Sequence, residues 1–177
     1  MKLTWFGGTA LRVYLGGEIV VIDPESAPER VVATELLGGA EHVVRLGAAS
    51  AVPLVDPARW RPKPAPRLAD EAPPAMEIVR LASHTLLVAA PGEPPLVVLG
   101  AGEAPRFGRW ADGAVIVLTA ARESLIAEAT VLLDLARPRL VALALDDPAL
   151  DTIVSEIAEH LDGAGLVSLE PGLAVEV

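Results

Sequence analysis

The chain has 177 residues, a formal net charge of −10 and no cysteine. The charge argues against a general attraction to nucleic acid or anionic membrane, and the missing cysteine excludes disulfides and thiolate metal sites. Hydrophobic residues make up 52% of the chain and mean hydropathy is +0.46. Even so, Gly, Pro or charge breaks every apolar run before the roughly 18–20 residues a membrane span needs.

The opening "MKLTWFGG" lacks the apolar centre of a signal peptide, so a cytoplasmic protein is expected. "KLTWF", "ALRVYL" and "EIVVID" read as three strands. Gly16-Gly17 joins the last two as a hairpin, and Asp23-Pro24 ends the third. "RVVA" reads as a short buried strand that runs into the loop "TELLGGA", and "HVVRL" and "VPLV" as further strands. Six prolines between 56 and 75 mark a loop rather than a separate domain. Within it, "RWRPKPAPR" (59–67) gathers Arg59, Arg61, Lys63 and Arg67 around Trp60. In so acidic a chain this is expected to be a solvated, proline-stiffened loop rather than a phosphate-binding patch.

The second half restarts with "EIVRL" and "HTLLVAA"; "PGEPP" makes a turn, and "LVVL" and "AVIVLT" are buried strands. From Arg122 the period changes: Leu125, Ile126, Ala129, Leu132 and Leu133 define one face of a helix that Arg137-Pro138 stops. "RLVALAL" is a strand, and Asp147 with Pro148 opens a second helix, striped by Ile153, Val154, Ile157 and Leu161 and ended by Gly163 or Gly165. "LVSLE", Pro171-Gly172 and "LAVEV" read as a closing hairpin. Strand-rich halves with few helices predict two sheets packed face to face, with helices outside.

Most familiar chemistries are absent. "VVLGAGEAP" offers G-x-G after a strand, but Pro105, Gly108 and Trp110 follow where a dinucleotide site needs a helix. Ser83 and His84 are adjacent and point to opposite faces if that segment is a strand, and no G-x-S-x-G exists. The three His, at 42, 84 and 160, are far apart, with no H-x-H pair among them. His42 and His160 read as structural, the latter as a residue late in the second helix that the helix dipole favours.

Taken together, Gly7, Gly16-Gly17 and Asp23-Pro24 resemble the opening of the metallo-β-lactamase fold superfamily, in the branch of ascorbate-6-phosphate lactonase and related zinc-dependent hydrolases. Gly8 stands where that branch has His. Its strand ending Thr-His-x-His-x-Asp-His aligns from Thr34. This puts Glu35 and Leu37 on the first two His, Gly39 on the Asp and Ala40 on the third His. His84 matches a later family His, Glu103 the bridging Asp, and Leu145 the His of the C-terminal Pro-x-His strand.

The resemblance implies a single domain over 1–177, an α/β (α+β) protein of reduced size with the four-layer αβ/βα sandwich. It also implies a vacated zinc site, with Asp23, Glu35, His84 and Glu103 as residues of a vestigial pocket. The expectation is a non-catalytic member without a cofactor, binding a small molecule or a protein; its apolar composition leaves self-association open. The alternative is a divergent hydrolase, of lactonase or phosphodiesterase type, using Glu35, His84 and Glu103.

Overall fold

The structure is a computed structural model that describes residues 1–47, 51–65, 75–102, 104–119, 122–146, 148 and 150–177. Its strands form two sheets. The first takes the order β11-β1-β2-β3-β4, from β1 (Lys2–Gly7), β2 (Ala10–Leu15), β3 (Glu18–Ile22), β4 (His42–Val44) and β11 (Ala174–Glu176). The β2–β3 hairpin turns at Gly16 and Gly17, whose φ of 60° and 90° only glycine adopts freely.

The second sheet takes the order β10-β9-β8-β7-β6-β5, from β5 (Glu77–Ala82), β6 (Thr85–Ala89), β7 (Leu96–Leu99), β8 (Val115–Leu118), β9 (Leu140–Leu143) and β10 (Gly165–Ser168). Strands β7 to β10 run parallel. Helix α2 (Arg122–Leu135) connects β8 to β9, and α3 (Leu150–Ala158) connects β9 to β10.

Alternation explains the packing. Leu3, Trp5, Leu11, Val13, Leu15, Val20 and Ile22 face inward from the first sheet. They meet Leu86, Val88, Leu96, Val98, Val115 and Val117 of the second. The opposite face of the second sheet is covered by Leu125, Ala129 and Leu132 of α2 and by Ile153 and Ile157 of α3. Burial on both faces is why β6 to β8 read as unbroken apolar runs. The first sheet's outer face is covered by α1 (Ala33–Leu37), which docks Leu36 onto Phe6, Ala10 and Val21, and by the flanking Ala27, Val31 and Ala40. The layers are thus α, β, β, α, with one helical layer reduced to five residues.

Four sequence expectations need correction. "RVVA" is not a strand: residues 33–37 form α1. Leu36 is buried there while Thr34, Glu35 and Leu37 stay exposed, so one contact per turn is enough to seat a short helix. "VPLV" contributes only the bridge Leu54–Arg80. The C-terminal strands are not a hairpin: β10 lies beside β9, and the chain then crosses at Pro171-Gly172 to place β11 beside β1. His160 falls in the turn after α3, not within the helix.

In the 59–67 segment Arg59, Arg61 and Lys63 are exposed as expected, but Trp60 is buried. It packs edge-on against Trp110 at a centroid distance of 4.8 Å. Arg67 and Asp147 lie outside the described residues.

Candidate functional site

The strand ends at one rim of the sandwich build a cleft of about 580 Å³. The β1–β2 turn supplies Gly7, Gly8 and Thr9; the segment after β3 supplies Ser26, Pro28 and Arg30. Thr119 follows β8, Ala144, Leu145 and Asp146 follow β9, and Pro171 precedes β11. A ligand crevice at the C-terminal ends of parallel strands is the usual place for a site in an open α/β sheet.

Asp23 ties this rim together. Its Oδ2 accepts from Thr9 Oγ1 at 2.8 Å, and its Oδ1 accepts the Leu46 backbone N–H at 2.8 Å. Its own N–H donates to Val44 O at 2.9 Å, and its carbonyl accepts from Ser26 Oγ at 2.8 Å. Ser26 Oγ also accepts the Thr9 backbone N–H at 3.1 Å. Asp23 holds φ 45° and ψ 53°, a left-handed conformation that Asp tolerates because its short side chain bonds locally. The residue is therefore a clasp between the β1–β2 turn, the 3-10 turn Pro24–Ser26 and the end of β4.

The other expected pocket residues do not gather with it. Glu35 is exposed on α1, outside the first sheet. Leu37 and Gly39 are exposed on and just after that helix, and Ala40 packs beside it. His84 is exposed in the β5–β6 turn of the other sheet. There it lines a separate hollow of about 230 Å³ with Ser83, Gly100 and Gly102. Glu103 lies outside the described residues. Of the positions aligned with family ligands, Gly8 and Leu145 line the cleft.

The alignment of 34–40 with the metal loop also loses its strand. The strand parallel to β3 is β4, which pairs Val20 with His42 and Ile22 with Val44. It runs out at Arg45, Leu46 and Gly47, and a side chain at Gly47 would lie 4.0 Å from His84 Cε1. The cleft residues that the sequence did not single out are Thr9, Ser26, Arg30, Thr119 and Asp146. Their signal is positional only: each falls shortly after a strand, with no motif around it.

No family model matches the sequence, and no curated protein does. Among solved structures, the chain is similar to Igni18, a novel metallo hydrolase from the hyperthermophilic archaeon Ignicoccus hospitalis. The identity is 16% over 99% of this chain and 98% of that one, with a TM-score of 0.57. A putative Zn-dependent hydrolase of the metallo-β-lactamase superfamily from Thermotoga maritima aligns at 13% identity over 96% and 99%, with a TM-score of 0.47. At such identities the likeness is one of fold alone. It defines a class by architecture, the two-sheet αβ/βα sandwich shared with Igni18, and no role or branch within it.

The fold implies zinc, but the residues present do not fit it. A catalytic zinc needs three N, O or S ligands converging on one point. Among the described residues, no group of three or more His, Cys, Asp or Glu could hold a metal ion. Among the described residues, the cleft carries a single carboxylate, Asp146, and no imidazole. Gly8 cannot take the family's His without a shift, because its Cβ would lie 2.7 Å from Ser26 O.

Proposed function

We propose that the protein is a non-catalytic relative of the metallo-β-lactamase-fold hydrolases, and that its rim cleft binds a small organic molecule. The observation that carries this is the absence of ligand chemistry in whichever register the metal loop is sought. If the loop is "TELLGGA" (34–40), its one donor, Glu35, is on the outer layer. If it is the stretch after β4, "RLGAASA" (45–51) contains no His, Asp or Glu at all. Leu145 then presents a hydrocarbon at the cleft where the family presents an imidazole. Removing ligands together with their metal avoids buried like charges without a counter-ion, and fits a fold retained for its shape.

The alternative, a divergent hydrolase using Glu35, His84 and Glu103, has less behind it, since Glu35 and His84 belong to different sheets' surfaces. We treat 1–177 as one domain because a single core cluster draws on strands of both sheets. Among the described residues no helix is long and apolar enough to cross a membrane.

The test is metal content together with activity. Protein purified without added metal is expected to carry zinc and iron far below one per chain, and to leave lactones and phosphodiesters intact. Near-stoichiometric metal accompanied by hydrolysis of either class overturns the proposal.

A further inference from the structure

We propose that the cleft recognises a small zwitterion: an amino acid with an aliphatic side chain, held by carboxylate and ammonium together. The inference rests on the reading of the cleft as a binding site and names what it binds. Its starting point is which polar groups there remain unengaged. The three hydroxyls are already committed to protein oxygens: Thr9 Oγ1 to Asp23 Oδ2, Ser26 Oγ to Asp23 O and Thr119 Oγ1 to Leu99 O at 3.0 Å. Among the described lining residues, two charged groups are left. Arg30 and Asp146 both line the cavity and both are exposed. Neither makes a hydrogen bond or ion pair with a described residue, and they do not pair with each other.

A cation and an anion that line one cavity without forming an ion pair match a ligand that carries both charges with a spacer between them. Net charge favours the same choice. A plain anion reaching Arg30 approaches a chain of net charge −10, whereas a zwitterion meets no such long-range repulsion. The same lining includes apolar side chains, among them Trp5, Pro28, Leu145 and Pro171. Such a wall takes an aliphatic side chain and offers little to a second polar one. Because both charged groups are exposed, each contact is worth only about a threefold change in affinity, and weak binding is expected.

The experiment is an amide NMR titration of the full chain with leucine, N-acetyl-leucine (carboxylate only) and leucinamide (ammonium only). Leucine is expected to perturb the amides of Gly8, Thr9 and Leu145, and to bind about threefold or more tighter than either derivative. Arg30→Gln should weaken leucine and N-acetyl-leucine while sparing leucinamide; Asp146→Asn should do the reverse. Both side chains are exposed and lack described partners, so both variants are expected to fold. Equal binding of the three compounds, no binding of any, or variants that affect all three alike overturns the zwitterion. The wider reading of the cleft is tested separately, with Leu145→Trp and the uncharged isocaproamide. If that probe binds and the variant leaves its binding unchanged, the cleft itself is not the site.

Discussion

Asp23 Oδ1 accepts the backbone N–H of Leu46 at 2.8 Å, so a side chain at the end of β3 fixes where the chain leaves β4. The same carboxylate takes the Thr9 hydroxyl proton on its other oxygen. Hydrogen bonds to a charged acceptor contribute about 1.5–3 kcal/mol each, and two on one group are not additive. Asp23→Ala loses both and leaves alanine in the left-handed region. We expect a loss of about 3 kcal/mol in urea unfolding. Asp23→Asn keeps the oxygen facing Leu46 and suits that backbone, so its loss should be about 1 kcal/mol. Equal losses in the two variants would mean that the backbone, not the carboxylate, makes the clasp.

Gly8 adopts φ +54°, and a Cβ there would meet Ser26 O at 2.7 Å. Gly8→His therefore tests whether an imidazole at this turn can create a metal site. The side chain needs a left-handed backbone and displacement of the turn that Asp23 holds. The expected cost is about 1–3 kcal/mol, read as a lowered unfolding midpoint. Equilibrium dialysis should show no gain in tight zinc binding over the parent chain. A variant that binds zinc stoichiometrically without loss of stability would show that the turn is free to move.

Much of this fold is legible in the sequence because burial writes a period into it. Leu11, Val13 and Leu15 alternate with Arg12 and Tyr14, and Leu125, Ala129 and Leu132 repeat at helical spacing. Where a segment has one buried residue, no period exists. α1 buries Leu36 alone, and the β-branched Val31-Val32 before it read as strand. With no strand over 30–33, Glu35 lies exposed on α1, outside the cleft lining. The later hairpin failed differently. Pro171-Gly172 does turn the chain, but a turn does not say whether the next strand joins the same sheet. The cleft was legible only as a loss of ligands. Arg30 and Asp146 gain meaning from what surrounds them in space, and single charges between strands carry no pattern.

Arg12 holds the reduced outer layer in place. Its guanidinium donates to Leu36 O at 2.8 Å and Gly38 O at 2.7 Å, satisfying carbonyls at the end of α1 that the helix leaves free. A five-residue helix has little stability of its own, so this fork and Leu36 hold it to the sheet. Arg12→Met keeps the aliphatic stem and removes the fork. Amide hydrogen exchange at Gly38 and Ala40 is expected to rise about tenfold, while exchange in β2 and β3 stays unchanged. Arg12→Lys should not restore protection, because a single ammonium does not reproduce the paired geometry. Unchanged exchange in Arg12→Met would assign the docking to Leu36 alone.

Trp110 closes the outer face of the second sheet at its other end. Its ring meets Trp60 at 4.8 Å and Phe107 at 5.7 Å, both edge-on, and its Nε1 donates to Pro57 O at 2.7 Å. Two loop segments, 57–60 and the stretch through Phe107, are pinned by one side chain, which is why Trp60 is buried inside a segment whose sequence reads as solvated. Trp110→Ala opens a cavity under those loops and should cost about 3–5 kcal/mol. Trp110→Phe keeps a ring but removes the indole donor, leaving the Pro57 carbonyl with the Gly108 N–H at 3.2 Å, at about 1 kcal/mol. Limited proteolysis separates packing from simple destabilisation. In conditions where both variants remain folded, cleavage at Arg59 and Arg61 should accelerate strongly in Trp110→Ala and little in Trp110→Phe. Equal cleavage in the two variants would mean that the hydrogen bond to Pro57, rather than the aromatic packing, anchors the basic segment.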